Sequence, residues 1–373
     1  MNTIFQKTDP QLLVQAKLFD GFQFLENIKA NLGTAEYAKM IIEQINQAFE
    51  EKQQEFHHDQ NATTSKSGFI EYSAKSLYEK TTPTLTFFDQ EIDPYFLLRK
   101  NVKDFIQYIR SAFDILFQFI NKTMLVESAL PLEKVTVSNL KKELKQKYPN
   151  HPVRNAFLNL VHHNDYKYIT EYNNKTKHIL DTKLTLVTDL LHPNFSGEVA
   201  SFTKNQKPYD KKEIILLVNE LYTFTTKKID NLLKKIRQHI QNHLQRPINR
   251  LHTLSFYSQD LSKDKKNSYF TVYVDEKDIP SPQDPVEVLF VKEDSNADIK
   301  AQNVPYDKIY IMKDDNFIGV LEATTPYNPK DDIYCYRKFQ RTTFKQPKPT
   351  NTVRSYTTGA LMLNYMSGKL IKN

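Results

Sequence analysis

The predominant spacing of apolar residues changes near residue 250, and this change limits the possible folds more than any other feature. Before it, apolar residues recur every three or four positions, as on the buried face of an α-helix. After it, short runs are rich in β-branched and aromatic residues, as in strands. We therefore predict the α+β class: an N-terminal α-helical bundle with an inserted β-hairpin, followed by a β-rich C-terminal domain.

Helix start and stop signals divide the first part of the chain. Gly33-Thr34 predicts the end of one helix and the start of the next, which gives a helical hairpin. Asp93-Pro94 opens the clearest helix, Pro152 occupies a favoured first-turn position, and Pro247 ends the last helix. We predict helices over residues 12–28, 35–56, 94–120, 138–147, 152–162, 165–178 and 211–245.

Strand signals occur in three places. Residues 81–88 form a short extended segment in a linker, and residues 183–188 and 199–203 form a hairpin around the turn Pro193 to Gly197. Beyond residue 250, Asp314-Asp315-Asn316 predicts a hairpin turn, and we predict strands over residues 268–274, 286–291, 308–312 and 317–323. The predicted domains are a helical hairpin and linker (1–92), a helical bundle with a β-hairpin (93–247) and a β-rich basic domain (248–373).

Composition and sequence signals favour a cytoplasmic protein. The chain is 39% hydrophobic and 25% charged, which is typical of a globular protein. Residues 1–10 lack the basic flank and apolar core of a secretory signal, and no stretch approaches about 18 uninterrupted apolar residues. Cys335 is the only cysteine, so an intrachain disulfide is excluded. We expect a protein of the reducing cytoplasm with no membrane partner.

Several catalytic classes are disfavoured because their motifs are absent. The sequence contains no Gly-rich phosphate loop, no H-E-x-x-H and no G-x-S-x-G. Cys335 as a nucleophile is less favoured than a half-buried structural thiol in its Tyr-Cys-Tyr context. We expect no cofactor and no resident metal.

The net charge of +7 is concentrated at the C-terminus. Residues 333–373 contain eight Lys or Arg residues and no Asp or Glu, so the excess positive charge lies in this segment. Such a surface neutralises phosphates, and interleaved aromatic rings stack on bases. The candidate nucleic-acid contacts are Arg337, Lys338, Arg341 and Lys345, and the interleaved rings include Tyr336 and Phe339. The alternative is a β-rich segment with a solvated basic face.

Residues 154–178 carry the most suggestive chemistry of the chain. Asn174 and His178 are i and i+4 on a predicted helix and therefore share a face, with Lys177 close by. Histidine transfers protons near neutral pH, and cations stabilise the charge that develops at a phosphodiester. His178, Asn174 and Lys177 are therefore candidate catalytic residues, with Arg154 and Lys175 as candidate RNA contacts. The alternative is a helix C-terminus whose cations complement the helix dipole.

The stretch Asn173 to His178, N-N-K-T-K-H, resembles the motif of the HEPN superfamily of helical domains, which occurs in RNA-cleaving toxins and phage-defence proteins. That motif is an arginine, a polar residue that is often Asn, three variable residues and a histidine. The resemblance covers at most residues 95–245. It implies metal-independent RNA cleavage by His178 with Asn174, and a homodimer. The arginine position is Asn173 here, so Arg154 or Arg110 would have to supply a guanidinium from another helix.

Other functions remain open from the sequence. The departure at Asn173 favours a non-catalytic interaction or sensor protein, and the basic tail alone favours a DNA-binding protein, although RNA is the preferred partner. His57-His58-Asp59 is a weak candidate for a divalent metal site, and a surface polar cluster is the favoured interpretation. Carboxylates near the predicted strands, including Glu276 and Glu287, suit a metal-dependent nuclease but lack a recognised spacing to a lysine.

Overall fold

A computed structural model shows helices before residue 244 and strands as the main elements from residue 251 onward. It describes residues 4–6, 9, 12–13, 16, 18, 20–67, 74–87, 89–178, 183–188, 195–204, 206–243, 251–255, 257–260, 270–276, 286–293, 299–301, 308–314, 316–324, 336–342 and 366–371. The predicted α+β class is therefore confirmed. Within those residues, every helix is too short or too polar to cross a lipid bilayer.

The described elements alternate long helices with short strands in the first two-thirds of the chain. The α-helices are α1 (Asp20–Ser67), α2 (Ala74–Thr81), α3 (Pro94–Leu125), α4 (Val137–Lys147), α5 (Pro152–His162), α6 (Asn164–His178) and α7 (Ile214–His243). Short 3₁₀ turns lie at Val126–Ser128 and Leu132–Lys134. The strands among the helices are β1 (Leu85–Phe87), β2 (Gln90–Ile92), β3 (Leu184–Thr188), β4 (Phe195–Val199), β5 (Phe202–Lys204), β6 (Lys207–Tyr209) and β7 (Lys212–Glu213).

The remaining strands all follow residue 250. They are β8 (Leu251–Ser255), β9 (Tyr257–Asp260), β10 (Phe270–Asp275), β11 (Val286–Glu293), β12 (Ile299–Ala301), β13 (Lys308–Lys313), β14 (Asn316–Ala323), β15 (Tyr336–Thr342) and β16 (Met366–Ile371). The four predicted strands correspond to β10, β11, β13 and β14. The predicted turn at Asp314 is also confirmed, because Lys313 pairs with Asn316 across it.

The predicted helical hairpin at Gly33-Thr34 is wrong. Helix α1 continues through both residues. Leu32 and Ala35 are fully buried on either side of the glycine, so the apolar face keeps one phase across it. A glycine inside a helix costs about 1 kcal/mol, and the burial of large apolar side chains along this face outweighs that cost.

The region after residue 56 is also more helical than predicted. The polar stretch 57–67 belongs to α1, and α2 was not predicted. The extended segment predicted over residues 81–88 is confirmed only in part, as β1, which pairs antiparallel with β2. Polar composition therefore did not mark the end of α1.

Local capping sets the starts of α3, α4 and α5. Asp93 Oδ1 accepts a hydrogen bond from Tyr95 N at 2.9 Å, and Thr136 Oγ1 accepts one from Asn139 N at 3.1 Å. Pro152 begins α5, where a missing N–H costs nothing. Such caps satisfy backbone donors that a helix leaves unpaired. The predicted helices over 138–147, 152–162 and 165–178 are confirmed to within a residue at each end.

The predicted β-hairpin exists, but its second strand lies earlier than predicted. Strand β3 pairs antiparallel with β4, and β4 also pairs with β7. Gly197 was assigned to the turn, yet it lies inside β4. A Cβ on this residue would lie 2.8 Å from Ile214 Cδ1 and 3.0 Å from Leu186 Cδ2. The glycine therefore serves the close approach of α7 and β3 rather than a turn.

A second, unpredicted hairpin joins β5 to β6. Phe202 pairs with Tyr209, and Lys204 pairs with Lys207. Gln206 adopts a left-handed φ of 63°, as tight two-residue turns require. This hairpin places a lysine on each side of its turn.

The chain divides into two compact units. The first contains residues 1–4, 27–118 and 131–235, and the second contains residues 5–26, 119–130 and 236–373. The three predicted domain ranges stay a prediction. The boundary predicted near Arg246 to Leu251 falls on residues 246–250, which lie outside the described residues, and on Leu251, the first residue of β8. Pro247, predicted to end the last helix, therefore also lies outside the described residues.

Aromatic contacts organise the first unit. The rings of Phe117 and Phe157 are 5.3 Å apart and join α3 to α5. Phe113 contacts Tyr166 at 5.5 Å and joins α3 to α6. These edge-to-face pairs bury large apolar surfaces and fix α6 against its neighbours.

The second unit contains a mixed sheet of nine strands. Its order is β8-β16-β11-β15-β14-β13-β10-β9, with β12 paired to β11, and β10–β13 is a parallel pair. Strands β8 and β9 stand at opposite ends of this order, but only residue 256 separates them in the chain. The sheet therefore curls so that its two edges meet at one continuous segment.

The second unit also holds a buried ion pair. Arg237 Nε lies 2.6 Å from Asp9 Oδ1, and Nη2 lies 2.8 Å from Oδ2. Both residues are buried, so removing one partner would leave an uncompensated charge in a region poor in water. This pair holds the N-terminal segment against α7 within the unit.

Candidate nucleic-acid interface

The C-terminal half of α6 carries the motif that was predicted from the sequence. Asn173 is only 5% exposed, Asn174 and Lys175 are half-buried, and Lys177 is exposed. His178 is the last residue of α6, and its side chain lies outside the described part. Exposure to solvent therefore increases along the motif, from the buried amide of Asn173 to the exposed ammonium of Lys177.

The arginine position of the motif is occupied by a buried amide. Asn173 continues the buried face formed by Tyr166 and Ile169, at seven and four residues before it. Burial suits a neutral amide, whereas a guanidinium there would have to be desolvated or to displace its neighbours. The buried position therefore suits the asparagine found here better than the arginine of the HEPN motif.

Both arginines that were considered as substitutes have other partners among the described residues. Arg154 Nη1 donates to Pro149 O at 2.6 Å, in the loop before α5. Arg110 forms an ion pair with Asp114 on α3, and its guanidinium lies 5.6 Å from the ring centre of Tyr166.

Lys177 belongs to the electrostatic environment of Asp114. Although 57% of the Asp114 side chain is exposed, the surrounding protein raises the pKa of its carboxyl by desolvation, and Arg110 and Lys177 oppose that shift. Both cations favour the charged carboxylate because opposite charges attract. Part of the positive charge of Lys177 therefore interacts with the Asp114 carboxylate of the protein itself.

A denser group of cations and rings lies where α6 meets the β5–β6 hairpin. Phe202 and Tyr209 stack with their ring centres 4.6 Å apart and their planes 11° apart. Phe202 also contacts Tyr172 at 5.5 Å and Tyr168 at 5.6 Å. The rings and the lysines above them form what we call the lysine–aromatic cluster: Tyr168, Tyr172, Phe202, Tyr209, Lys175, Lys207 and Lys212.

Each lysine of the cluster lies over a different ring. Lys175 Nζ is 5.3 Å from the centre of Phe202, Lys207 Nζ is 5.2 Å from Tyr209, and Lys212 Nζ is 5.1 Å from Tyr168. Cation–π attraction holds an ammonium in place without neutralising its charge. The cluster therefore holds three positive charges over a layer of aromatic rings.

Acidic groups neutralise this cluster only in part. Lys212 Nζ lies 4.0 Å from Glu220 Oε2, which is a weak pairing. Desolvation raises the pKa of Tyr209, and the nearby charge of Glu171 adds to the shift. Lys175 and Lys207 have no carboxylate within ion-pairing distance among the described residues. Their charge is available to an external anion.

The rings of the cluster support the lysines and are not open for base stacking. Tyr168, Tyr172 and Phe202 are buried, and burial raises the pKa of Tyr168, with Tyr172 adding to the shift. The half-buried Tyr209 has Phe202 stacked on its ring and Lys207 above it. The arrangement thus suits contact with backbone phosphates rather than readout of bases.

The predicted basic tail is arranged differently from the expectation. Strand β15 lies inside the sheet, between β11 and β14, with Arg337 paired to Val288 and Lys338 to Glu287. Phe339 is fully buried, so the expectation that it stacks on bases is wrong. It belongs to the core face of the strand, because successive residues alternate between faces. The exposed residue beside it is Gln340.

Arg341 is the tail cation whose surroundings are best defined. It pairs with Leu321, and a Cβ added to Gly319 would lie 3.5 Å from its Nε. The arginine therefore lies across the glycine, on the same face as buried Phe339. The side chains of Arg337 and Lys338 are outside the described part, and so are Lys345 and Cys335.

The weaker site predictions gain no support from the geometry. His58 Nδ1 and Asp59 Oδ1 are 4.0 Å apart on the exposed surface of α1. Glu276 is ion-paired with Lys313 at 2.9 Å. Across the residues that the structure describes, no group of three or more His, Cys, Asp or Glu side chains is arranged to hold a metal ion.

Sequence reasoning missed most of the lysine–aromatic cluster. It singled out Lys175 but neither Lys207 nor Lys212, nor any of the four rings. The signal that was available is the run K-N-Q-K-P-Y-D-K-K (204–212) after a pair of tyrosines spaced i, i+4 on α6. Linking the two requires knowing that the hairpin packs on α6.

Comparison with known proteins gives one match. A family model named DUF8310, described as a domain of unknown function, matches residues 252–355. That range begins in β8 and contains the described strands β9 to β15 of the curled sheet. No curated protein and no solved structure matches the chain.

Proposed function

We propose that the helical part of this protein is a HEPN-like domain that binds RNA through the lysine–aromatic cluster and the adjoining end of α6. The observation that carries the proposal is the placement of Lys175, Lys207 and Lys212 over aromatic rings, with at most one weak acidic partner. Lysines that neutralise phosphates release condensed counterions, and this release drives association. In this proposal the protein acts in the cytoplasm, in keeping with its single cysteine.

Cleavage is the second part of the proposal. His178 would act as general acid and base, Asn174 would orient the phosphate, and Lys177 would stabilise the developing charge without a metal. The HEPN resemblance would then extend to a toxin or phage-defence role and to a homodimer. The buried amide at Asn173 favours the non-catalytic alternative, in which the domain binds RNA or a partner and leaves the RNA intact.

Binding is tested by fluorescence anisotropy with a labelled single-stranded RNA. Lys175→Gln/Lys207→Gln should weaken binding about thirtyfold, because each lysine loses a charge-assisted contact with phosphate. Lys29→Gln/Lys75→Gln is the matched control, since it removes the same charge from exposed positions on α1 and α2. Equal losses in the two variants would contradict a localised site.

Cleavage is tested by incubating a mixed set of labelled RNAs with the protein in EDTA. Fragments that form with wild type and not with His178→Ala would support a metal-independent ribonuclease. His58→Ala is the control, because it removes an exposed histidine from α1. Intact RNA with every variant, together with retained binding, would support the non-catalytic form of the proposal.

Duplex DNA in the same binding assay separates the remaining alternative. Deleting residues 333–373 is not a clean test of the basic tail, since it would remove β15 and β16 from the interior of the sheet. The point variant Arg341→Gln removes a tail cation without removing a strand. A large loss of duplex affinity in this variant would favour the DNA-binding alternative.

A further inference from the structure

Two histidines and two lysines meet at the corner where α5 ends and α6 begins. Lys141 on α4 places Nζ 3.4 Å from Nε2 of His162, the last residue of α5. Lys228 on α7 donates a hydrogen bond to Oδ1 of Asn159 on α5. We call Lys141, Asn159, His162, His163 and Lys228 the corner cluster.

A shared aromatic ring fixes half of this cluster. The His163 ring stacks on Phe224 with ring centres 4.5 Å apart, and Lys228 Nζ lies 5.6 Å from the centre of the same ring. Phe224 itself is buried. His163 and Lys228 therefore contact the same buried ring, although they come from different elements.

The corner cluster has more potential cations than acids. The described contacts of Lys141 are to an imidazole, and those of Lys228 are to an amide and a ring. Asp165 is the carboxylate that faces the cluster, with Oδ2 3.4 Å from His163 Nδ1. Four side chains that can be cationic thus stand against one acid.

We infer that the corner cluster is a binding site for a phosphate-bearing anion, separate from the lysine–aromatic cluster. Lys141 with His162 and Lys228 with Asn159 supply N–H donors from three helices to one anion. A phosphate beside Lys141 and His162 would also bring a negative charge close to the lysine ammonium. The inference does not rest on RNA binding by the rest of the protein.

The test is isothermal titration calorimetry of the full chain with inorganic tripolyphosphate at one fixed pH. Lys141→Gln/His162→Gln should bind about tenfold more weakly, because the ammonium and the imidazole are both replaced by neutral amides. Lys29→Gln/His58→Gln makes the same changes at exposed positions of α1 and should stay within about twofold of wild type. Absence of wild-type binding, or equal loss in both variants, would overturn the inference.

Lys228→Gln provides an independent variant should the double substitution disturb folding, as judged by circular dichroism. It should also lose about tenfold in affinity for tripolyphosphate. Adenosine triphosphate and a short RNA, used as competitors, distinguish a free nucleotide from an RNA backbone as the source of the phosphate. RNA affinity in Lys175→Gln/Lys207→Gln tests the RNA proposal, and tripolyphosphate affinity in Lys141→Gln/His162→Gln tests this inference, so the failure of one and the failure of the other give different results.

Discussion

Two basic and aromatic regions of this protein, strand β15 and the lysine–aromatic cluster, have similar compositions and opposite arrangements. In β15 the aromatic Phe339 is fully buried inside the sheet, next to exposed Gln340. In the cluster, α6 and the β5–β6 hairpin bring three lysines over four rings. A run of cations and rings along the chain therefore does not define a surface. The surface depends on which residues the secondary structure turns to the same side.

The largest expected effect concerns the role of Phe339 as core. Phe339→Ala should lower the free energy of unfolding by about 3–5 kcal/mol, through lost burial and the cavity left in the sheet. Urea denaturation followed by circular dichroism measures this change. Gln340→Ala on the same strand is the control and should stay within about 0.5 kcal/mol of wild type. If Phe339→Ala lost RNA affinity but no stability, Phe339 would be an RNA-contacting residue and not part of the core.

The next effect concerns how the cluster binds. Each phosphate contact to single-stranded nucleic acid contributes about 0.7 to the slope of log affinity against log salt concentration. Lys175→Gln/Lys207→Gln should therefore reduce that slope by about 1.4. Anisotropy titrations over a range of NaCl concentrations measure it. An unchanged slope would mean that these lysines contact something other than phosphate.

A third prediction tests whether the aromatic rings of the lysine–aromatic cluster are buried beneath its lysines. Burial raises the pKa of Tyr168, with Tyr172 adding to the shift, so the folded state keeps a proton that the unfolded chain loses near pH 10. This contribution to stability is complete below about pH 10 and is lost as the pH rises. Above that pH, wild type should lose about 1.4 kcal/mol per pH unit more than Tyr168→Phe.

Urea denaturation at several alkaline pH values measures the difference. Tyr37→Phe removes the titratable hydroxyl of a tyrosine that is 59% exposed and should keep the wild-type slope. Equal slopes for Tyr168→Phe and wild type would show that the Tyr168 hydroxyl is open to solvent. The rings would then be accessible to bases, and the cluster would resemble the tail as it was first predicted.

The sequence predicted the helices near the site well, because their signals are local. Pro152 marks the start of α5, and Asp93 caps α3 through a residue two positions away. Helical spacing also placed Asn174 and Lys175 correctly on α6. By contrast, Gly33 and Gly197 were misassigned, since packing of the apolar face of α1 and of Ile214 decides their environment.

The parts that the sequence did not predict depend on distant residues. The contact of Lys212 with Tyr168 spans more than forty positions, and the pairing of Glu287 with Ile371 spans more than eighty. Burial of Asn173 likewise follows from the packing of its helix and not from its neighbours in sequence. Local patterns therefore identified the elements of the site, whereas the way in which those elements pack decided which cations share a surface.

The smallest expected effect concerns Arg341, the cation of β15 whose surroundings are best defined. This arginine lies across Gly319 on the core face of β15, so its charge is partly engaged by the protein. Arg341→Gln should change RNA affinity by less than about twofold, in the range of a surface substitution away from a site. Anisotropy with the same RNA probe measures the change, next to Lys207→Gln as the positive control. A tenfold loss in Arg341→Gln would mean that the sheet also contacts phosphate. Arg341 would then take part in binding although it lies on the same face of β15 as buried Phe339.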